Sequence, residues 1–161
     1  MTNAIQVNGL RKNYGEKEVL KGIDLCVRQG DIFALLGVNG AGKTTTLECI
    51  EGLRKYDGGS ISVNGSIGIQ LQSAALPAHI KGLEAVRLFS KWNRTNADAS
   101  MLTALGTDSI ANQQYQEMST GQKRRLHLAL ALIRNPDIVF LDEPTAGLDV
   151  EGRISLHEYI R

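Results

Sequence analysis

Residues 37 to 44 read Gly-Val-Asn-Gly-Ala-Gly-Lys-Thr, the spacing G-x-x-x-x-G-K-[ST] in full. A phosphate chain needs many hydrogen-bond donors, and successive backbone N–H groups supply them only where the chain turns tightly around the anion. Gly37, Gly40 and Gly42 permit that turn, and Asn39 and Ala41 add backbone donors between them. Lys43 brings a point charge to the β and γ phosphates. Thr44 is expected to ligate Mg²⁺, and Thr45 can reach the α-phosphate. A following helix would add its dipole and its unpaired N–H groups. The bland alternative is a Gly-rich turn with an incidental Lys-Thr pair.

A second constellation lies about a hundred residues on. Ile138-Val139-Phe140-Leu141 is an apolar run that ends in Asp142-Glu143. A strand ending in two carboxylates delivers charge to the carboxyl edge of a sheet, where open α/β sheets bind their ligands. Asp142 fits the role of holding Mg²⁺ through its water shell. Glu143 fits that of a general base acting on water. Alone, the pair reads equally as two solvated carboxylates at a strand end.

The elements that must position these residues alternate between strand and helix. Ile5 to Val7 and Val19 to Val27 read as strands, and Ile32 to Leu36 reads as a strand buried on both faces. Lys43 to about Leu53 reads as a helix, Ser60 to Val63 as a strand and Ile67 to Leu71 as another. Leu83 to Trp92 and Met101 to Leu105 have helical spacing and form a small insertion. Ser119 opens a helix through Arg134 that is apolar nearly all round, and Asn135-Pro136 stops it. Ile138 to Leu141 is a second buried strand, and Glu151 to Arg161 reads as a last helix. The pattern is α/β with a mainly parallel central sheet.

Composition sets the frame. The 161 residues suit one domain. Lys and Arg number 18 against 17 Asp and Glu, and a net charge of +1 gives no electrostatic footprint for nucleic acid. No apolar run approaches the roughly 20 residues of a membrane span. The start of the chain lacks the basic and apolar regions of a secretory signal. Cys26 and Cys49 have neither disulfide nor zinc spacing, which fits a reducing compartment.

Phosphate loops are common to kinases, GTPases and many ATPases, and the later motifs narrow the choice. Met118-Ser119-Thr120-Gly121-Gln122 resembles the LSGGQ signature of ABC-type ATPases, and it precedes Asp142-Glu143-Pro144 as in that family. Ala146 to Asp149 resembles the family's D-loop. Gln72 stands where its Q-loop glutamine would be, and Tyr14 resembles the aromatic that stacks on adenine. The motifs keep the family's order over nearly the whole chain. Thr120 departs from the usual first glycine and Met118 from the usual leucine.

This resemblance implies a P-loop NTPase fold with N-terminal antiparallel β strands and a helical insertion at about residues 74–118, all in one ABC-type ATPase domain over 1–161. It implies that ATP and Mg²⁺ bind, with Thr44, Gln72 and Asp142 at the metal and Glu143, Gln72 and Lys43 in catalysis. Ser119, Thr120, Gly121 and Gln122 would contact ATP held by a second copy, in an ATP-dependent head-to-tail homodimer. The expected partner is an integral membrane permease, joined near Leu76 to Trp92, with the chain cytoplasmic and peripheral at the inner face of the cell membrane. Efflux is the expected direction. The segment carrying the family's switch histidine, with the strand before it, is expected to be absent, and His157 reads as an ordinary helix histidine, as do His79 and His127. The rivals are a non-transport ABC ATPase such as an iron–sulfur assembly factor, a hydrolysis-impaired ATP-binding fragment, and a small P-loop kinase, in which the Ser119 to Gln122 motif has no role.

Overall fold

The structure, a computed structural model, describes residues 2–70 and 75–141. Two units make it up, residues 1–67 and 68–161.

The first unit is an antiparallel sheet with one helix. Strand β1 (Asn3–Tyr14) lies between β2 (Lys17–Arg28) and β3 (Gly58–Val63), giving the order β2-β1-β3. Ile5 faces Val27 on one side and Val63 on the other. β1 runs further than its apolar start suggests. Its second half, Arg11 to Tyr14, is polar, and an irregular register between Val7 and Leu10 hides the alternation. At that bend the Gly9 N–H donates to Asp24 Oδ1 at 2.6 Å. Leu10 and Leu20 are fully buried, so the sheet has a real apolar face.

Helix α1 (Lys43–Ile50) follows the phosphate loop and buries Thr46, Cys49 and Ile50. It stops three residues before Leu53 for a local reason. Gly52 has φ +76°, its N–H donates to Cys49 O at 3.2 Å, and the Leu53 N–H donates to Glu48 O at 2.9 Å. That pair of bonds is the Schellman ending, which terminates a helix at a left-handed glycine.

One expectation fails here. Residues 31–38 form no strand, and Ile32, Phe33 and Leu36 are exposed, Leu36 at 88%. An apolar run becomes a strand only where neighbouring strands accept its N–H and C=O groups. Among the described residues no strand pairs with this run.

The second unit contains β4 (Ile67–Gln70) beside β5 (Ile138–Leu141) in a two-stranded sheet. Between them in sequence run α2 (Gly82–Trp92), α3 (Ala99–Ala104) and α4 (Thr120–Leu132). The core joins Ala85 and Val86 of α2 to Ile110, Tyr115, Met118 and to Leu126, Leu130 and Ile133 along α4. The start of α2 lies tight against the chain before the signature. A Cβ on Gly82 would stand 2.5 Å from Ile110 O, so only glycine fits there. Of β5 only Phe140 is buried, and Val139 is exposed, so this strand is half-buried where full burial was expected.

Candidate nucleotide-binding site

The phosphate loop turns at Gly40 (φ +83°) and Gly42 (φ +89°), and the Ala41 N–H donates to Val38 O at 3.2 Å. Gly42 is the N-cap of α1, and having no side chain it caps nothing. The first bond from the helix goes from the Thr46 N–H to Gly42 O at 2.8 Å. The N–H groups of Lys43, Thr44 and Thr45 therefore have no partner among the described residues, and they face an anion's position at the helix start. A Cβ on Gly42 would lie 2.7 Å from Leu20 Cδ2, so the loop sits hard against β2. The Lys43 ammonium folds over the loop, donating to Gly37 O at 2.7 Å and Val38 O at 3.0 Å. An ammonium has three protons, and the third stays available to a phosphate oxygen. Thr44 is exposed and Thr45 half-buried beside it, while the Thr46 hydroxyl is spent on Gly42 O at 2.9 Å. Donors without acceptors, plus one cation, fit an oligophosphate.

Tyr14 closes β1 with its side chain partly exposed. Two cations attend its ring: Lys12 Nζ is 5.7 Å from the centroid and the Arg54 guanidinium carbon 5.5 Å. Lys12 is held by Asp57 at 3.0 Å, and the other Asp57 oxygen accepts the Asn13 N–H at 2.6 Å. The Asn13 N–H first, and then Lys12, hold the Asp57 carboxyl below the usual carboxylate range. Sequence reasoning missed Lys12 and Arg54. Arg54 lies forty residues beyond Tyr14, and no periodicity or motif connects them.

In the second unit the signature segment opens α4. The Ser119 N–H donates to Gln122 Oε1 at 2.8 Å, and the Gln122 N–H donates to Ser119 Oγ at 3.2 Å. This reciprocal capping box occupies two of the helix-start donors with the chain's own side chains. Thr120 and Gly121 keep N–H groups with no partner among the described residues, and Ser119 and Thr120 are exposed. The Ser119 hydroxyl accepts from Gln122 and retains its proton as a donor. Met118 is buried in the unit's core, which fits an apolar residue of leucine-like volume.

Behind the signature, Tyr115 Oη lies 3.1 Å from His127 Nε2 with the two rings stacked, and Lys123 Nζ stands 5.0 Å from the Tyr115 centroid. Burial pushes the Tyr115 phenol up. Burial, and then the Arg124 and Lys123 cations, push the His127 imidazole down. His79 is exposed against Gln114 and Gln116. His127 lies on α4 as expected, whereas His79 lies in a turn and not in a helix. Gln72, Asp142, Glu143, the Ala146 to Asp149 segment, His157 and the last expected helix lie outside the described residues.

The fold and the loop together define a P-loop nucleotide-binding protein. A solved ATP-binding subunit of an ABC transporter superposes on this chain with a TM-score of 0.85 and 25% identity, covering 96% of this chain and 72% of its own length. The family model for ABC transporters matches residues 20–146, and the chain belongs to that family, which binds nucleotide. It is similar to the daunorubicin resistance ATP-binding protein DrrA3 of Streptomyces coeruleorubidus, at 36% identity over 98% of this chain and 56% of the relative. It is also similar to the aliphatic sulfonates import ATP-binding protein SsuB 1 of Nocardia farcinica, at 36% identity over 98% of this chain and 65% of the relative. The chain thus spans little more than half the length of the first of these curated relatives. No helix among the described residues is long and apolar enough to cross a membrane.

Proposed function

We propose that this chain is the ATP-binding part of an ABC transporter, with residues 1–161 acting as one ATPase domain and about 74–118 as its helical insertion. The observation that carries this reading is the uncapped start of α1, with Lys43 folded over its loop. Gly37 to Gly42 wrap the phosphates, Lys43 neutralises the β and γ oxygens, and Thr45 donates to the α-phosphate. Tyr14 stacks on the adenine. Thr44, Gln72 and Asp142 would hold Mg²⁺, which would supply charge neutralisation at the phosphates. Glu143 polarises the attacking water as general base, and Gln72 shares in catalysis.

Ser119, Thr120, Gly121 and Gln122 serve a second copy. The Ser119 hydroxyl and the Thr120 and Gly121 N–H groups donate to the γ-phosphate on the other copy's loop, so ATP favours a head-to-tail homodimer. The membrane permease joins near Leu76 to Trp92, where Trp92 is 75% exposed and Leu88 is exposed beside it. The chain then lies at the cytoplasmic face of the cell membrane. Efflux is our reading of the relative named for daunorubicin resistance, whereas the sulfonate relative is an importer by name.

The test is a calorimetric titration of the chain with Mg²⁺-ATP, with Lys43→Ala alongside. Binding by the wild type, weakened by about a hundredfold in Lys43→Ala, is expected for loss of a charge-assisted contact set. Equal affinity in the two proteins would overturn the assignment of the loop.

A further inference from the structure

The two cations at the Tyr14 ring have different origins. Lys12 is a strand neighbour two residues back, across an irregularity in the β1–β2 register between Lys12 and Asn13. Arg54 arrives from the far side of α1. Its Nε donates to Glu48 Oε2, and its backbone N–H donates to Glu48 O at 3.0 Å. Glu48 therefore fixes both the backbone and the head group of Arg54. Glu48 belongs to α1, the helix whose first residue is Lys43. A continuous chain of contacts runs from the phosphate loop through α1 and Arg54 to the ring of Tyr14.

We infer that Arg54 is a positioning residue for the nucleotide base: it ties the Tyr14 ring to the phosphate-loop helix, so that the aromatic platform stands at a set distance from the phosphate cradle before nucleotide arrives. The inference rests on Tyr14 being the base platform. A tyrosine at the exposed end of a hairpin would otherwise sample several rotamers, and stacking would have to arrest it. A guanidinium near the ring restrains it electrostatically and draws density from its π system, which favours a second ring against it. A single, partly buried ion pair such as Arg54–Glu48 adds only modestly to folding. The effect of Arg54 therefore falls on base binding rather than on stability, and that separates positioning from a structural role.

The experiment measures affinities for Mg²⁺-ATP and for inorganic tripolyphosphate by calorimetry, with thermal unfolding alongside, in wild type, Arg54→Ala and Arg54→Lys. Arg54→Ala is expected to weaken ATP about three- to tenfold, the scale of a cation–π contact, and to leave tripolyphosphate and the unfolding temperature unchanged. Arg54→Lys keeps a cation and is expected to recover part of the ATP affinity. Equal losses for both ligands, or no loss for either, would overturn the inference. A wild type that binds ATP no tighter than tripolyphosphate would remove Tyr14 as the base platform and Arg54 with it, leaving the phosphate loop in place. A wild type that binds neither ligand would overturn the nucleotide-binding reading as well.

Discussion

Among the described residues, the starts of α1 and α4 both offer N–H groups to an anion, and they are finished differently. At α1 the cap is Gly42, which has no side chain, and three N–H groups stay open beneath an ammonium. At α4 the cap is Ser119, and the box with Gln122 closes two donors and leaves those of Thr120 and Gly121. The first start leaves all three of its first helical donors to an anion, and the second satisfies half of its own. A helix end that satisfies half of its own donors gains less by taking an anion from water. It adds affinity only when the anion is delivered to it by another surface. In the proposed function, this difference matches primary binding at residues 37–45 and a secondary, assembly-dependent contact at residues 119–122.

The strongest way to break this contrast is Lys43→Ala, whose expected hundredfold loss of ATP affinity has no counterpart at α4. Next is Gly42→Ala. The new methyl would meet Cδ2 of the fully buried Leu20 at a position with φ +89°. A loss of about 2 kcal/mol in stability is expected from strain and overpacking together, along with weaker ATP binding. Denaturant unfolding measures the first, and an unchanged midpoint would mean that the loop is loose against β2. Ser119→Ala should cost about 1 kcal/mol of stability through loss of the cap, while ATP affinity of the dilute chain stays the same. A large affinity loss in dilute Ser119→Ala would erase the contrast between the two helix starts.

The smallest effect expected is in the pH response of the second unit. His127 has a folded pKa below its unfolded value because of burial and the Arg124 and Lys123 cations. The unfolded chain then binds the proton first, so this part of the stability is full above about pH 6.5 and is lost as pH falls through the folded value. His127→Gln should flatten the acid-side fall in unfolding temperature between pH 7 and pH 5. A slope equal to that of the wild type would show that the imidazole is not the group responsible.

What could be read from the sequence was local. The phosphate loop and the Ser119 cap are short motifs whose residue types carry their own geometry, and both stand where their spacing put them. β2, β3, β4 and β5 follow from apolar runs between turn signals. The failures are long-range. Ile32 to Leu36 has a strand's composition, but a ladder depends on neighbours that composition does not name. The polar half of β1 is a strand because β2 and the turn at Asp57 hold it, not because Arg11, Lys12 and Asn13 favour one. Arg54 reaches Tyr14 through a Schellman turn whose glycine, Gly52, gives no hint of where the next side chains will lie.

The most direct measurement is amide hydrogen exchange across the chain with and without Mg²⁺-ATP, at two protein concentrations. Exchange at residues 38–46 should slow on adding ATP at either concentration, and this slowing should vanish in Lys43→Ala. The amides of Thr120 and Gly121 should change only at the higher concentration, where copies meet. Slowing at residues 119–122 in dilute protein, without slowing at 38–46, would contradict the account.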